Sequence, residues 1–308
     1  MKQINIVKGP QNASAIIQGC MRIPALSKEA AAEAIRTAYE AGVNFYDHAT
    51  CYGAGEAEVR FAEAFPLTGI KREDIFIQSK CGICPERGEF DWTKENILSS
   101  VDAILGRLKT DYLDTLLLHR PDLLFDPEEV AEAFDTLEKS GKVRWFGVSN
   151  TMPMQTELLK KYVRQPLVIN QLQLSLEQSQ LIDQALYMNN KTTDMSVSRD
   201  GSALDYCRLN DITIQAWSPL QVGMFGGTFI DNPEFPELNK VLAEIAEREG
   251  VTKSAVAIAW ILRHPAKMQV IIGTMNPAHI RETCEASKVS LSHNDWYRLY
   301  LASGKFLP

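Results

Sequence analysis

Three short apolar segments in the first half of the chain each end on an ionisable side chain. Residues 43–46 lead into Asp47, residues 75–80 end on Lys80, and residues 113–119 end on His119. Their length and apolar character are typical of buried β-strands. Because the active site of a parallel barrel lies at the carboxyl ends of its strands, this recurrence predicts a barrel with these side chains around one mouth.

The rest of the chain continues the alternation of apolar segments with amphipathic helices. Further strands are predicted at residues 15–20, 143–150, 167–171, 212–217 and 269–273, with helices between them. Residues 1–12 predict a short hairpin before the first barrel strand, and residues 292–301 predict a terminal helix. We therefore expect a closed parallel (β/α)8 barrel, the TIM-barrel class, that occupies residues 1–308 as a single domain.

A doubly wound open sheet is the alternative fold for the same alternation. It is disfavoured because no G-x-G-x-x-G sequence follows the first predicted strand. Loops are predicted at residues 81–92, 191–200 and 223–227, and the second of these is polar enough to predict mobility. We expect substrate choice to depend on residues 84–92, 188–200 and 221–230 and on the end of the chain.

Composition excludes several classes of function. The chain is 45% hydrophobic and carries a formal net charge of −7, which argues against a nucleic-acid backbone as a partner. No stretch reaches the roughly 18 apolar residues of a membrane span, and residues 1–8 lack a secretory signal. The expectation is a cytoplasmic protein that acts on small molecules, as a monomer or a small homo-oligomer.

The pair Cys81 and Cys84 forms a C-x-x-C motif, which can be a redox pair or half of a zinc site. A zinc site needs about two more ligands, and no second C-x-x-C or H-x-x-x-H motif is present. The favoured interpretation is two ordinary loop cysteines beside Lys80, and no metal is expected.

The predicted mouth contains the groups needed for proton transfer. Tyr52 follows Asp47 by five residues, so its phenol is placed in the loop above the strand ends. A nearby ammonium lowers the pKa of a phenol, which is about 10 when unperturbed. A carboxylate beside Lys80 keeps that ammonium charged, and a neutral His119 can donate a second hydrogen bond to the same substrate oxygen. This combination predicts reduction of a carbonyl group, with a cofactor supplying the hydride.

The segment after the eighth predicted strand has the features of an anion site. Gly273 and Thr274 precede Asn276, a helix N-cap, and Pro277 at the first helical position. A free helix N-terminus after strand 7 or 8 of a barrel often holds a phosphate. A nucleotide bound there could extend across the mouth towards Trp217 and Asn150.

Several short motifs occur along the chain in an order that identifies a family. They are Asp47-x-x-x-x-Tyr52-Gly53, Ser79-Lys80, Leu117-Leu118-His119-Arg120-Pro121-Asp122, Gly141-Lys142-Val143-Arg144-x-x-Gly147-Val148-Ser149-Asn150, Asn170-Gln171, Trp217-Ser218-Pro219-Leu220 and Ile272-Gly273-Thr274-x-Asn276-Pro277. With these motifs the chain resembles the bacterial branch of the aldo-keto reductase family over nearly its whole length.

The resemblance implies reduction of an aldehyde or ketone to an alcohol with NADPH or NADH, without a Rossmann fold. It implies Tyr52 as the proton donor, Asp47 and Lys80 as the pair that tunes it, and His119 as the residue that orients the carbonyl. The carboxamide of the cofactor is assigned to Ser149, Asn150 and Gln171, the nicotinamide ring to Trp217, and the adenosine phosphate to residues 273–283. The full implied cofactor set is Ser149, Asn150, Gln171, Trp217, Ser218, Pro219, Leu220, Gly223, Gly273, Thr274, Asn276, His279, Glu282 and Thr283.

The chain departs from the family pattern at a few positions. Trp217 stands where tyrosine or phenylalanine is usual, His279 where arginine is frequent, and Gly273 where some members have lysine. The first strand ends in Gly19-Cys20-Met21-Arg22 instead of the aromatic residue of many members. A 2′-phosphate usually binds arginine or lysine. We therefore expect a modest preference for NADPH, stronger below about pH 6.5, where histidine becomes charged.

Two other functions compete with an active reductase. A regulatory barrel subunit could bind a nicotinamide nucleotide and sense redox state with little turnover, because fold alone does not define activity. A thiol redox protein could use Cys81 and Cys84 if one thiol had a low pKa. The presence of Asp47, Tyr52, Lys80 and His119 together favours the enzyme.

Overall fold

The computed structural model describes residues 1–187, 199–223 and 226–307, and it confirms the predicted barrel. The strands are β1 (Gln3–Ile4), β2 (Ala13–Ser14), β3 (Ile16–Gly19), β4 (Phe45–Asp47), β5 (Phe76–Cys81), β6 (Ile83–Cys84), β7 (Glu89–Phe90), β8 (Leu113–Leu118), β9 (Val143–Ser149), β10 (Leu167–Gln173), β11 (Thr213–Trp217) and β12 (Gln269–Ile272). Strands β3, β4, β5, β8, β9, β10, β11 and β12 pair in that order, all parallel, and β12 pairs with β3 to close the barrel. All strand carboxyl ends therefore lie at one mouth.

Helices connect the strands and cover the outside of the barrel. They are α1 (Lys28–Glu40), α2 (Glu56–Ala64), α3 (Lys94–Leu108), α4 (Pro127–Lys139), α5 (Pro153–Tyr162), α6 (Gln180–Tyr187), α7 (Ala203–Leu209), α8 (Pro236–Glu249), α9 (Lys253–Leu262), α10 (Pro277–Cys284) and α11 (His293–Ala302). Some of these helices begin at a residue whose side chain caps the first backbone amides. The Ser27 side chain accepts a hydrogen bond from the Ala30 amide, and Thr93 does the same for Asn96. Both helices therefore begin at a side-chain cap.

Two small antiparallel hairpins accompany the barrel. Strands β1 and β2 pair Gln3 with Ser14, which confirms the N-terminal hairpin and places its second strand just beyond residue 12. Strands β6 and β7 form a hairpin inside residues 81–92, where only a loop was predicted. Two-residue strands are too short to produce a periodic pattern. Within this hairpin the Arg87 side chain contacts Cys84 and Asp91.

The barrel strands are buried on both faces, as near-continuous apolar segments require. Every residue of β8 and β12 is buried. The barrel interior also contains buried glutamines, one each from β3, β5, β10, β11 and β12, which are Gln18, Gln78, Gln171, Gln215 and Gln269. Their amides form hydrogen bonds, so the barrel core is partly polar.

The connection after β10 is long and contains α6 (Gln180–Tyr187). The predicted mobile loop at residues 191–200 lies outside the described residues except for its last two positions, and the loop at residues 223–227 lacks positions 224 and 225. Among the described helices, none combines the length and the apolar character needed to cross a membrane.

Candidate active site

Asp47, Lys80 and Tyr52 form one hydrogen-bonded chain at the mouth of the barrel. Asp47 ends β4, and Lys80 lies near the end of the adjacent strand β5. The Lys80 Nζ lies 2.8 Å from Asp47 Oδ2, 3.0 Å from the Tyr52 hydroxyl oxygen and 2.7 Å from the His48 carbonyl oxygen. Its three protons therefore have three acceptors, and the ammonium connects the carboxylate to the phenol.

Within this hydrogen-bonded set, the pKa of Tyr52 differs from the expectation. Burial is the largest single effect and disfavours the charge of Lys80, but Asp47 and Tyr52 together outweigh it and raise the pKa of Lys80 above its ordinary value. Burial also raises the pKa of Tyr52 to about 12, and the Lys80 ammonium offsets only part of this rise. The ammonium lowers the phenol pKa as expected, but the net shift is upward, because desolvation of a phenolate is the larger effect.

His119 follows β8 directly and faces Tyr52 across the mouth. Its ring centroid lies 6.0 Å from that of Tyr52, with the rings nearly perpendicular. Burial lowers the pKa of His119 well below its ordinary value, and the positive charges of Lys80 and Arg120 act in the same direction. The neutral histidine expected from the sequence is the form that this environment stabilises. The His119 Nδ1 lies 3.6 Å from the Cys51 sulfur.

Two buried amides orient the Asp47 carboxylate, and neither role was predicted. Gln78 Nε2 donates to Asp47 Oδ1 at 2.7 Å, and Gln171 Nε2 donates to the same oxygen at 3.0 Å. Both amides also donate to Gln215 Oε1. The sequence does contain a signal for Gln78, because residues two apart in a strand point to the same side and Lys80 is two residues further on. Asp47 Oδ2 is therefore left for Lys80.

The four residues predicted to contact the carboxamide and the ring of the nicotinamide are linked by hydrogen bonds. Asn150 Nδ2 donates to the Ser149 hydroxyl at 2.9 Å, and the Ser149 hydroxyl donates to the Gln171 carbonyl at 3.0 Å. Trp217 Nε1 donates to Asn150 Oδ1 at 3.2 Å. Asn150 also donates to the His119 carbonyl at 3.3 Å, so this set is joined to the predicted catalytic residues.

The segment after β11 turns sharply at the mouth. Ser218 adopts a positive φ of 53°, a conformation that costs a non-glycine residue energy and often occurs at binding sites. Pro219 is buried, Leu220 is partly buried, and Gly223 has a φ of 66°. The predicted residues Ser218, Pro219, Leu220 and Gly223 thus lie on one turn that begins beside Trp217.

The N-terminus of α10 differs from the free anion site that the sequence predicted. Asn276 caps the helix as expected, but its Oδ1 accepts from the Ala278 amide at 2.9 Å and the His279 amide at 3.4 Å. The Asn276 amide donates to the Thr274 hydroxyl at 3.2 Å. These first amides are already paired, so a phosphate here needs side-chain cations as well as the helix dipole.

One such cation comes from a residue that sequence reasoning did not assign. The guanidinium of Arg22 donates to the Gly273 carbonyl at 3.0 Å. A β-carbon on Gly273 would lie 2.5 Å from the Arg22 Nη1, so the glycine leaves the space that the guanidinium occupies. An arginine from the segment that follows β3 therefore lies beside position 273.

The remaining predicted cofactor residues lie on α10. His279 and Glu282 are exposed, whereas Thr283 is buried with its hydroxyl donating to the His279 carbonyl at 2.7 Å. Glu282 lines a groove of about 450 Å³ between α10, α8, the start of α9 and the segments before those two helices. Its other walls are formed by Ile230, Asp231, Ala243, Ala246, Val251, Thr252, Lys253 and Ser254. Thr283 therefore packs inside, while the other two residues face solvent.

Cys81 and Cys84 are both free and buried. Burial raises the pKa of the Cys81 thiol to about 12, the opposite of what a redox nucleophile needs. Within residues 1–187, 199–223 and 226–307, no group of three or more His, Cys, Asp and Glu side chains is arranged to hold a metal ion.

We expect the double variant Cys81→Ala/Cys84→Ser to keep kcat/KM within about threefold, as for substitutions that remove no functional contact. Alanine suits the buried site of Cys81, and a serine hydroxyl at position 84 can still accept the Arg87 hydrogen bond that the thiol accepts at 2.9 Å. We would test this by steady-state kinetics of both proteins with and without a thiol reductant. Metal analysis of the wild type completes the test. Stoichiometric zinc, or a reductant dependence that the double variant loses, would contradict it.

Comparison with known proteins places this site in a family. A sequence model described as the aldo/keto reductase family matches residues 15–300. The 6-dehydroglucose reductase of Agrobacterium fabrum strain C58 is 36% identical over 273 residues, which cover 86% of this chain and 84% of that protein. The NADH-specific methylglyoxal reductase of Escherichia coli strain K12 is 26% identical, with 88% of this chain and 86% of that protein covered.

Solved structures agree with the sequence comparison. The thermostable aldo-keto reductase Tm1743, crystallised with the inhibitor epalrestat, superposes with a TM-score of 0.79 at 26% identity. The superposition covers 98% of this chain and 100% of that one. The chain belongs to the aldo/keto reductase family, whose members are oxidoreductases that act on small carbonyl compounds with nicotinamide cofactors.

Proposed function

We propose that the protein reduces an aldehyde or ketone to an alcohol with NADPH, and that Tyr52 is the proton donor. The observation that carries the proposal is the position of the Lys80 ammonium, within 3.0 Å of both Asp47 Oδ2 and the Tyr52 hydroxyl. A buried lysine that contacts a phenol and a carboxylate together stabilises the phenolate left after proton donation.

The roles of the site residues follow from their chemistry. The Tyr52 hydroxyl and the His119 ring N–H hydrogen-bond the substrate carbonyl oxygen and polarise it. The bound nicotinamide supplies the hydride to the carbonyl carbon. Tyr52 then protonates the developing alkoxide, and Lys80 stabilises the phenolate until solvent returns the proton.

The raised pKa of Tyr52 is compatible with this role. With a pKa of about 12 the phenol is fully protonated at neutral pH, so the acid is present before each turnover. An alkoxide is more basic than a phenolate, so the proton moves downhill even from this phenol. Lys80 contributes most after the proton has left, because an ammonium stabilises the charged form of its neighbour.

The proposed cofactor contacts use groups on this chain that fit a nicotinamide nucleotide. Gln171 has its Nε2 engaged with Asp47, and its Oε1 can accept from a carboxamide. The partly exposed indole of Trp217 offers a flat face for a planar ring. Arg22 and the N-terminus of α10 provide positive charge for phosphates, and the groove beside Glu282 has the size and mixed polarity that suit an adenosine.

We expect NADPH to quench the tryptophan fluorescence of the protein saturably, because Trp217 would stack on the nicotinamide. Trp217→Ala should lose most of the quenching and bind NADPH several-fold more weakly. Trp145→Phe is the matched control, since Trp145 packs on Phe76 in the barrel and should not report on the ligand. Undiminished quenching and affinity in Trp217→Ala would remove the stacking role.

We expect a modest preference for NADPH over NADH, because a 2′-phosphate usually binds arginine or lysine and position 279 is a histidine. His279→Arg should tighten NADPH and leave NADH unchanged, because only NADPH carries the 2′-phosphate. Arg22→Met should weaken both cofactors, since the diphosphate is common to them. Dissociation constants of both cofactors at pH 6 and pH 8 test this. Equal or tighter NADH binding at both pH values would contradict the preference.

A carbonyl panel tests the proposed function itself. Aldehydes, quinones, dicarbonyls and keto acids are each mixed with the protein and NADPH, and absorbance of the reduced cofactor is followed. Substrate-dependent oxidation of NADPH supports the proposal. Tight nicotinamide binding without turnover on any class would overturn it and would favour a regulatory barrel subunit.

A further inference from the structure

His119 has one hydrogen-bonding neighbour on its ring among the described residues, and that neighbour is a thiol. The Cys51 sulfur lies 3.6 Å from His119 Nδ1. A neutral imidazole has one nitrogen that donates and one that accepts, and the hydrogen bond made by one nitrogen determines the state of the other. What lies against Nδ1 therefore determines whether Nε2 carries a proton.

We propose that the Cys51 thiol is a positioning residue for His119: its S–H donates to Nδ1 and so keeps the imidazole proton on Nε2, where it can hydrogen-bond the substrate carbonyl oxygen. The role of His119 rests on the proposed function. The contact with Cys51 does not, because it is a feature of the protein alone.

The direction of this hydrogen bond follows from the two partners. Burial raises the pKa of Cys51 above its ordinary value, so the side chain is a thiol that has a proton to donate. Sulfur is a weak acceptor, whereas an unprotonated imidazole nitrogen is a good one. The S–H therefore points to Nδ1 more favourably than an Nδ1–H points to sulfur.

Protonation of both ring nitrogens is opposed by the surroundings of His119. Lys80 and Arg120 place positive charges near the ring, and the buried position adds a cost to an imidazolium. The ring is thus neutral, and the remaining choice is between its two tautomers. Cys51 is the neighbour that distinguishes them.

The backbone on both sides of this contact is held independently of the thiol. The His119 amide donates to the Cys81 carbonyl at 2.9 Å, and Asn150 donates to the His119 carbonyl at 3.3 Å. The Thr50 amide donates to the Lys80 carbonyl at 3.0 Å, which anchors the turn that carries Cys51. Removing the sulfur should therefore change the ring and leave the chain path in place.

The substitutions Cys51→Val and Cys51→Ser separate a donor role from simple packing. Valine fills the space without a donor, whereas serine keeps an O–H that can donate to Nδ1. Proteins labelled with [15N]histidine are compared by NMR, and His119→Asn assigns the His119 signal among the five histidines. The nitrogen chemical shifts report which ring nitrogen carries the proton.

The wild type and Cys51→Ser should show His119 with its proton on Nε2, and Cys51→Val should show a mixture of tautomers. On a substrate from the carbonyl panel, kcat in Cys51→Val should fall by about 3- to 10-fold, the effect of losing one ordinary hydrogen bond. Cys51→Ser should recover most of it. NADPH affinity should not change in either variant.

Cys207→Val is the matched control, because Cys207 is a buried thiol on α7 and is not part of the mouth. It should leave the His119 signal and kcat unchanged. If His119 of the wild type carries its proton on Nδ1, the proposal is overturned, whether or not Cys51→Val folds. The proposal is also overturned if Cys51→Val folds and its His119 tautomer is the same as in the wild type. If no carbonyl is reduced, the proposed function fails while the tautomer measurement still decides the role of Cys51.

Discussion

Tyr52→Phe should lower kcat for carbonyl reduction by at least about 10²-fold, the contribution expected of a general acid. The substitution removes only the hydroxyl that lies 3.0 Å from Lys80 Nζ, so the ring and the mouth keep their shape. We therefore expect the dissociation constant of NADPH to change little. Single-turnover kinetics, followed by absorbance of the reduced cofactor, separate the chemical step from binding.

Tyr46→Phe is the matched control for this experiment. Tyr46 lies in the same strand as Asp47, but its hydroxyl donates to the Ile35 carbonyl at 3.1 Å, away from the mouth. Its loss should lower the free energy of unfolding by about 1 kcal/mol and leave kcat unchanged. Comparable turnover in Tyr52→Phe and the wild type would remove Tyr52 from the mechanism.

Asp47→Asn should be strongly destabilising as well as inactivating. The Asp47 and Lys80 side chains are 2% and 0% exposed, so the variant leaves a buried ammonium without its counter-charge. Breaking such a pair costs about 3–5 kcal/mol. An asparagine fits poorly for a second reason, because one carboxylate oxygen accepts from two glutamine amides and the other from Lys80. Whichever way the new amide turns, its NH2 group meets a donor.

The pH dependence gives this variant a signature. In the wild type the pKa of Lys80 is higher in the folded state than in the unfolded state. The Asp47–Lys80 ion pair therefore stabilises the fold fully at pH values below the unfolded-state pKa of lysine. This stabilisation is lost as the pH rises through the folded-state pKa. Without the carboxylate, burial is the largest remaining effect and only Tyr52 opposes it, so we expect that pKa to fall below its ordinary value. The unfolded state of the variant then binds more protons, so its stability should rise with pH and its deficit should shrink between about pH 8 and pH 10.

Urea unfolding at pH 7 and at pH 9.5 measures this deficit. Glu58→Gln is the matched control. Glu58 is a buried carboxylate that pairs with Arg107 at 2.7 Å, and it does not belong to the hydrogen-bonded set of Asp47, Lys80 and Tyr52. It should lose stability and retain turnover. A stable Asp47→Asn protein with normal kcat would show that the carboxylate neither holds Lys80 nor tunes Tyr52.

The order and kind of the main structural elements could be predicted from the sequence alone. Strands with apolar residues on both faces and helices with one apolar face differ in period, so their alternation is readable without a structure. Strand ends can be located to within one or two residues in this way. Parallel strands share one mouth, so this was enough to bring Asp47, Lys80, His119 and Trp217 to the same place.

Which atoms come into contact, and with what effect, depends on how the elements pack together. Burial and the charge of Lys80 shift the pKa of Tyr52 in opposite directions, and only their distances show that burial prevails. The Asn276 cap occupies amides that the sequence left free for a phosphate.

Contacts between residues far apart in the chain likewise could not be predicted from the sequence. Arg22 reaches Gly273 because β3 pairs with β12 when the barrel closes, and Gln171 reaches Asp47 across the barrel interior. Cys51 meets His119 because a loop after β4 lies over the end of β8. Local periodicity specifies each element alone, whereas these contacts depend on how the closed barrel brings separate strand ends together.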